Sequence, residues 1–279
     1  MGELNDTDGR ELSGQVEPVV LYEVIGHVAL ITMNRPRQRN AESDALIEER
    51  AAAFDRAEAD AEVHVIVLRA AGPTFCAGHD LKEFMKPGWR EENRGSVRKT
   101  WAYETHNYFR ASLRIRDCPK PTIASVQGQC IAGGFMTAAM CDLIVAADDA
   151  LFMDPTLGLA YNIPSSGDLV AGAAPGVEVL FHPWQLGARK AKELLFTGDG
   201  MSAEDALRCG FVNRVVPKDQ LAEHTLELAE HIATKDPTVL AITKRSIHSA
   251  LTAMGHDAAL EHSFLLHQLT HGLDATGGV

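Results

Sequence analysis

No Cys-x-x-Cys pair occurs among the five cysteines of this chain, so the common zinc-ribbon and thioredoxin-type spacings are missing. Cys76, Cys118, Cys130, Cys141 and Cys209 are scattered, mostly through apolar runs. They read as reduced, buried thiols of a cytoplasmic protein, not as a metal site or a nucleophile. Positive charge is also in deficit. Lys and Arg number 26 against 38 Asp and Glu, a net charge of −12. That balance argues against nucleic acid and anionic membrane as partners, and any polyanionic ligand must be gripped by local basic residues. No apolar run approaches the roughly 20 residues a membrane span needs. The opening MGELNDTDGRELSGQVE has neither the basic nor the apolar part of a signal peptide. Asp6 stands where a myristoylated chain carries Ser or Thr. Residues 1–16 are expected to form a disordered tail.

What is present is a soluble-type composition, 46% hydrophobic in 279 residues, ample for a sizeable core. The most informative stretch is 127–142, QGQCIAGGFMTAAMCD, which follows the β-rich run PTIASV. Gly133 and Gly134 sit where that run gives way to a short buried helix. A backbone without Cβ atoms lets a ligand come close, and the free amides of a helix start carry partial positive charge. Such a turn can hold an anion, or an oxygen becoming one. A second turn of the same kind, TFCAGHDLK at 74–82, follows the apolar run VHVIVL and bends through Ala77 and Gly78 into a helix capped by Asp80. Two such turns can aim two amides at one oxygen.

Around them, strands and helices alternate, which argues for an α/β architecture. A hairpin is expected over 19–33, turning at Gly26 and ending at Pro36. A helix is expected over 43–60, capped by Ser43, with Leu46, Ile47, Arg50, Ala53, Phe54 and Ala57 on its less polar stripe. Residues 89–100 are charged and carry no period, and 101–116 read as one helix. Strands are expected at 122–126, 142–147, 151–152 and 212–216. From Ala188 onward the chain turns helical, ending in three apolar-faced helices over 218–234, 237–253 and 256–271.

The pair FCAGHDLK and GQCIAGGFMTAAMCDLIVA resembles the crotonase, or enoyl-CoA hydratase/isomerase, superfamily. Supporting stretches are NRPRQRNA at 34–41, FMDPTLGL at 152–159 and LLFTGDGMSAEDALRCGFVNRVV at 194–216. The resemblance covers roughly residues 19 to 250. It implies a spiral of ββα units over 17–200 and a helical C-terminal region, 201–279, that builds homotrimers or homohexamers. It implies a coenzyme A thioester as substrate, with no metal and no redox cofactor. Its oxyanion donors fall on the backbone N–H groups of His79 and Gly133, whatever the side chain at 79. Its substrate-binding positions fall on Arg35, Ala77, His79, Asp80, Leu81, Lys82 and Gly133. Arg37 and Arg39 are further candidates for phosphate contact, as are Lys244 or Arg245 from a neighbouring subunit. Trp89 and Trp101 are candidates for lining the acyl pocket.

The chain departs from the resemblance where water would be handled. The two glutamates of the family's hydratases fall on Met136 and Thr156, neither of which can act as a base. The family's IPGAGG appears as Ile163-Pro164-Ser165-Ser166-Gly167 after an apparent one-residue insertion. Asp154 is the candidate acid/base in their place, with Tyr161, Asn162, Asp168 and His182 as further polar candidates. Three functions remain open at this level: an acyl-CoA lyase or isomerase with a relocated acid or base, an acyl-CoA hydrolase or C–C bond-cleaving enzyme, and a non-catalytic acyl-CoA-binding protein.

Overall fold

The structure is a computed structural model and describes residues 18–159 and 177–274. The expected tail, Tyr161, Asn162, Asp168 and the 163–167 motif lie outside the described residues.

Among the described residues, nine short strands form two sheets. The larger has the order β1 (Val20–Ile25), β2 (Val28–Met33), β3 (Val65–Ala70), β4 (Thr122–Val126), β6 (Leu143–Ala147), β9 (Arg214–Val216). β1 and β2 form the expected hairpin, antiparallel with Val20 opposite Met33, and every other pair in this sheet is parallel. The smaller sheet sets β5 (Gln129–Ile131) parallel to β7 (Leu151–Met153), with β8 (Met201–Ser202) antiparallel at its edge.

Strands in the middle of the larger sheet are buried on both faces, which is why they read as continuous apolar runs. Val28, Leu30, Val65, Val67, Ile123 and Val145 pack against Leu221, Ala229 and Ala233 of the helix Leu221–Ala233. The alternate residues Ala29, Ile31, Met33, Ile66, Leu68, Ala124 and Ile144 face the main core with Leu46, Phe54, Phe75 and Phe135. The helix Asp44–Ala59 begins where Ser43 accepts a hydrogen bond from the Leu46 amide, and the residues it buries are the six of the expected stripe, Arg50 included.

Two local expectations are corrected. Residues 89–100, which lack a period, contain the helix Trp89–Asn93 and the start of the helix Val97–Glu104. Five residues are too few to display a repeat of 3.6. Residues 101–116 are not one uniform helix: a π-helical stretch, Thr105–Arg110, separates Val97–Glu104 from Ala111–Arg116. Such widened turns re-aim side chains and often sit at functional sites. Among the described residues no helix is long and apolar enough to cross a membrane.

Candidate active site

β3 and β4 each run out of the larger sheet into a turn, and the turns are laced together by backbone. Phe75 and Cys76 donate to the carbonyls of Gln127 and Gln129 at 2.9 and 3.1 Å, and Ile131 donates back to Cys76 at 2.9 Å. The buried Gln127 side chain reinforces this, its amide donating to Ala70 and Gly72 at 2.8 and 2.9 Å. A third segment joins on the other side. Glu42 donates to the Gly78 carbonyl at 2.8 Å, Asp80 donates to Glu42 at 3.0 Å, and Ala77 donates to Arg39 at 3.0 Å. Residues 39–42, 76–80 and 129–132 therefore lie side by side. Residues far apart in sequence, Glu42, His79 and Gly133, come to one point.

Backbone geometry at that point is unusual in two places. Gly78 has φ of +87° and Ala132 has φ of +46°. A non-glycine residue in that region is strained and is held there only by its surroundings; here the Ala132 amide is tied to the Met153 carbonyl at 2.9 Å. The Ala132 kink opens the helix Gly133–Ala139, whose seven residues are all buried. Neither the His79 amide nor the Gly133 amide donates to an acceptor among the described residues. The turns touch: a Cβ built on Gly78 would stand 3.8 Å from the Gly133 nitrogen, and one built on Gly133 would stand 3.0 Å from His79 Cε1.

The side chains at this junction form a buried charge relay. Arg50 Nη1 donates to Glu42 Oε1 at 2.7 Å, and the Thr137 hydroxyl donates to the same oxygen at 3.0 Å. The other oxygen, Oε2, lies 3.4 Å from His79 Nδ1, an ion-pair distance. On the far edge of the ring, His79 Nε2 donates to Glu178 Oε1 at 3.2 Å. Burial alone would push the Glu42 carboxyl up, but Arg50 and then His79 outweigh it and hold it at about 2. Burial works equally against a charged His79, yet the contacts with Glu178 and Glu42 raise the imidazole to about 10. At neutral pH this is an imidazolium between two carboxylates. Its flat face stacks on Tyr108, with ring centroids 4.0 Å apart, and Tyr108 lies in the π-helical stretch. Glu42, Arg50, His79 and Glu178 are thus brought together, with side chain 79 at the centre of the cluster.

The other anticipated residues are distributed as follows. Arg35 Nη2 pairs with Asp80 Oδ2 at 2.8 Å, and its Nη1 donates to the Ala41 carbonyl. Asp80 caps the helix Leu81–Phe84 by accepting from the Lys82 amide. Leu81 and Lys82 are exposed, and so are Arg37 and Arg39. Lys244 is buried, its ammonium 2.7 Å from Asp142 Oδ2 and donating to the Lys120 carbonyl, so its charge is spent within the chain. Trp89 is buried between Phe84 and Tyr103, whereas Trp101 is 40% exposed beside Phe264. Met136 is packed into the main core. Asp154 is buried, takes hydrogen bonds from Thr156, and lies 3.4 Å from His182 Nε2. Burial pushes the thiols of Cys76 and Cys130 well up, so neither is a ready nucleophile.

Beyond Glu178 a second buried cluster groups Glu104 with His267 and His271. His267 Nε2 meets Glu104 Oε2 at 2.9 Å, and Arg94 Nη2 approaches Oε1 at 3.0 Å. Arg94 already supplies a cation to this carboxylate.

Two residues of the junction are absent from the motifs read in the sequence: Glu42 and Glu178. Glu178 lies outside every quoted motif. Glu42 had a signal, because Arg50 falls on the apolar stripe of its helix, and a buried arginine demands a buried anion.

Comparison with known proteins gives a consistent result. The family model described as enoyl-CoA hydratase/isomerase matches residues 23–278. A Mycobacterium tuberculosis protein described as an enoyl-CoA hydratase, EchA13, is 41% identical over 277 residues, covering 93% of this chain and 83% of its own. A Mycobacterium smegmatis crystal structure with an enoyl-CoA hydratase description superposes with a TM-score of 0.80 at 44% identity, covering 91% of this chain and 94% of the other. An enoyl-CoA hydratase/isomerase structure from Xanthobacter autotrophicus gives 0.81 at 36% identity, covering 91% and 87%.

Proposed function

Since the chain belongs to the enoyl-CoA hydratase/isomerase family and has its crotonase fold, we propose that it is an enzyme acting on acyl-CoA thioesters, as a lyase or isomerase. The observation that supports this reading is the meeting of the two turns, which brings residues 78–79 against Gly133, with the His79 and Gly133 amides lacking acceptors among the described residues. A thioester carbonyl seated there would be polarised by two fixed donors. Negative charge then collects on its oxygen as an enolate, and each such donor is worth about 3–4 kcal/mol of barrier. Met136 and Thr156 supply no carboxylate, so hydration by the family's usual pair of glutamates is disfavoured. The coenzyme A moiety is assigned to the surface bearing Lys82, Arg37 and Arg39, where exposed cations can meet phosphates; Arg35, paired with Asp80, shapes that surface.

The test is titration of the full chain with butyryl-, octanoyl- and palmitoyl-CoA and their 2-enoyl and 3-enoyl forms, followed by assays for hydration, isomerisation and hydrolysis. Saturable binding with turnover of an enoyl ester is expected. Release of free CoA alone would move the reading to a hydrolase, and binding without turnover to a carrier.

The chain is also assigned a trimeric or hexameric state. The helices Pro237–Ala253 and His256–Asp274 expose Val239, Ile242, Ile247 and Leu269, each more than half exposed. Such apolar patches suit burial between subunits. Light scattering is expected to give three or six times the 30.2 kDa chain mass, and a monomeric mass would refute this.

A further inference from the structure

Met136 and Thr156 leave the cradle without the carboxylates its family uses, yet two other carboxylates flank it. They are not equivalent. Glu42 is saturated: Oε1 accepts from Arg50 and Thr137, and Oε2 is wedged between His79 and the Gly133 backbone. A carboxylate so heavily stabilised makes a poor proton acceptor. Glu178 is held by one oxygen only. Its Oε1 accepts from His79 Nε2 at 3.2 Å, and its Oε2 has no hydrogen-bond partner among the described residues. The residue is 8% exposed. It is followed in the chain by Val179 and Phe181, both fully buried in the main core. One imidazole ring separates it from the cradle, since His79 Cε1 faces Gly133.

We propose that Glu178 is the proton carrier of this site, oriented by His79, which Glu42 holds in place, and that it serves proton transfer at the carbon beside a thioester carbonyl. The inference rests on the acyl-CoA reading and names the base that reading lacks. Oε2 takes the proton from the α carbon. The C–H electron pair becomes the C=C bond of an enolate, and the carbonyl π pair moves onto oxygen, facing the His79 and Gly133 amides. For a β,γ-unsaturated acyl group the same carboxyl returns the proton at the γ carbon. The oxygen pair re-forms the carbonyl, and the double bond ends between α and β. Nothing is oxidised or reduced, and a single carboxyl suffices, which fits a site with one half-free carboxylate.

His79 and Glu42 are positioning residues here. Burial raises the Glu178 carboxyl, but the hydrogen bond from His79, then the charges of His267 and His79, bring it below its ordinary range despite Glu104. The carboxylate is therefore ionised at neutral pH.

The experiment is deuterium uptake at the α carbon of butyryl- and octanoyl-CoA in heavy water, read by mass spectrometry, beside calorimetric binding of the same esters. Wild type is expected to exchange. Glu178→Gln is expected to bind within about threefold of wild type but to exchange about 100-fold more slowly or less. Should that variant fold poorly, Glu178→Asp, which withdraws the oxygen by one methylene, is expected to slow exchange without changing affinity. His79→Gln is expected to shift the acidic limb of the exchange profile to higher pH, because the cation that lowers Glu178 is gone; a purely structural role would leave that limb in place. Full exchange in Glu178→Gln would overturn the assignment, as would loss of exchange in Asp154→Asn alone. Tight binding without exchange in wild type would remove the base and leave the acyl-CoA reading standing. An absence of any CoA-ester binding would remove both.

Discussion

Gly133→Ala is expected to damage stability and chemistry together, although it adds a single methyl group. The new Cβ would stand 2.0 Å from Glu42 Oε2, 3.1 Å from Glu42 Cδ and 3.0 Å from His79 Cε1. No two heavy atoms tolerate 2.0 Å without bonding, so something must move. The end of a glutamate is ordinarily easy to displace. This one is not, because Arg50 and Thr137 clamp its other oxygen at 2.7 and 3.0 Å inside a side chain only 3% exposed. Moving it uncouples a buried ion pair, at about 3 kcal/mol or more, which corresponds to a melting midpoint roughly 6–10 °C lower. The same displacement pushes on His79, whose amide is the proposed partner donor of the cradle. Misplacing one fixed donor typically costs about 10²–10³ in rate. Thermal unfolding and α-carbon exchange measured on one preparation would check both effects. An unchanged melting point would mean that the glutamate swings away freely and that the packing described around Gly133 does not constrain the site.

Much of the fold was legible because short-range patterns dictate it. The runs VHVIVL and PTIASV carry apolar residues at both odd and even positions because both faces of β3 and β4 are covered. The two turns that follow are rich in small residues because their backbones pack at hydrogen-bonding distance. The periodic helices 44–59, 221–233 and 237–253 lie within a residue or a few of their expected bounds. Residues 89–100 were not legible because their helices are too short for a repeat. The π-helical turn was missed because it differs from its neighbours only in hydrogen-bond spacing.

The site divides along the same line. The two glycine-containing turns could be placed from the sequence, since the requirement for a missing Cβ is local. Most of the side-chain relay could not, because outside the Glu42–Arg50 pair it is long-range: 95 residues separate Glu42 from Thr137, and 99 separate His79 from Glu178. Glu42 stands just ahead of a capping serine, where an acidic residue normally needs no explanation beyond the helix dipole. Its role is visible only once Arg50 is taken seriously as a charge on an apolar stripe.

Arg50→Met is accordingly the second substitution expected to have a large effect. Both partners are almost wholly buried, with side-chain exposures of 4% for Arg50 and 3% for Glu42. Removing the cation leaves a carboxylate with the Thr137 hydroxyl and the His79 ring 3.4 Å from its other oxygen, and breaking one side of a buried pair typically costs about 3–5 kcal/mol. The pH dependence separates this cause from a simple packing loss. In the wild type Glu42 lies at about 2 in the folded state against an ordinary 4.5, so its contribution is present above pH 4.5 and is lost as the pH falls toward 2. His79 lies at about 10 against an ordinary 6.5, so its contribution is complete below pH 6.5 and is lost as the pH rises toward 10. The charged relay is therefore strongest between those ordinary values. In Arg50→Met, Glu42 loses the strongest influence holding it down and protonates more readily, which relieves the uncompensated charge. The stability gap between variant and wild type should then shrink between pH 7 and pH 4.5 in urea titrations. Glu42→Gln combined with Arg50→Met should recover part of the loss at pH 7, since no buried charge is then left unpaired. A gap that stays constant or widens on acidification would place the cost in lost packing around the arginine stem, and would remove Glu42 from the relay.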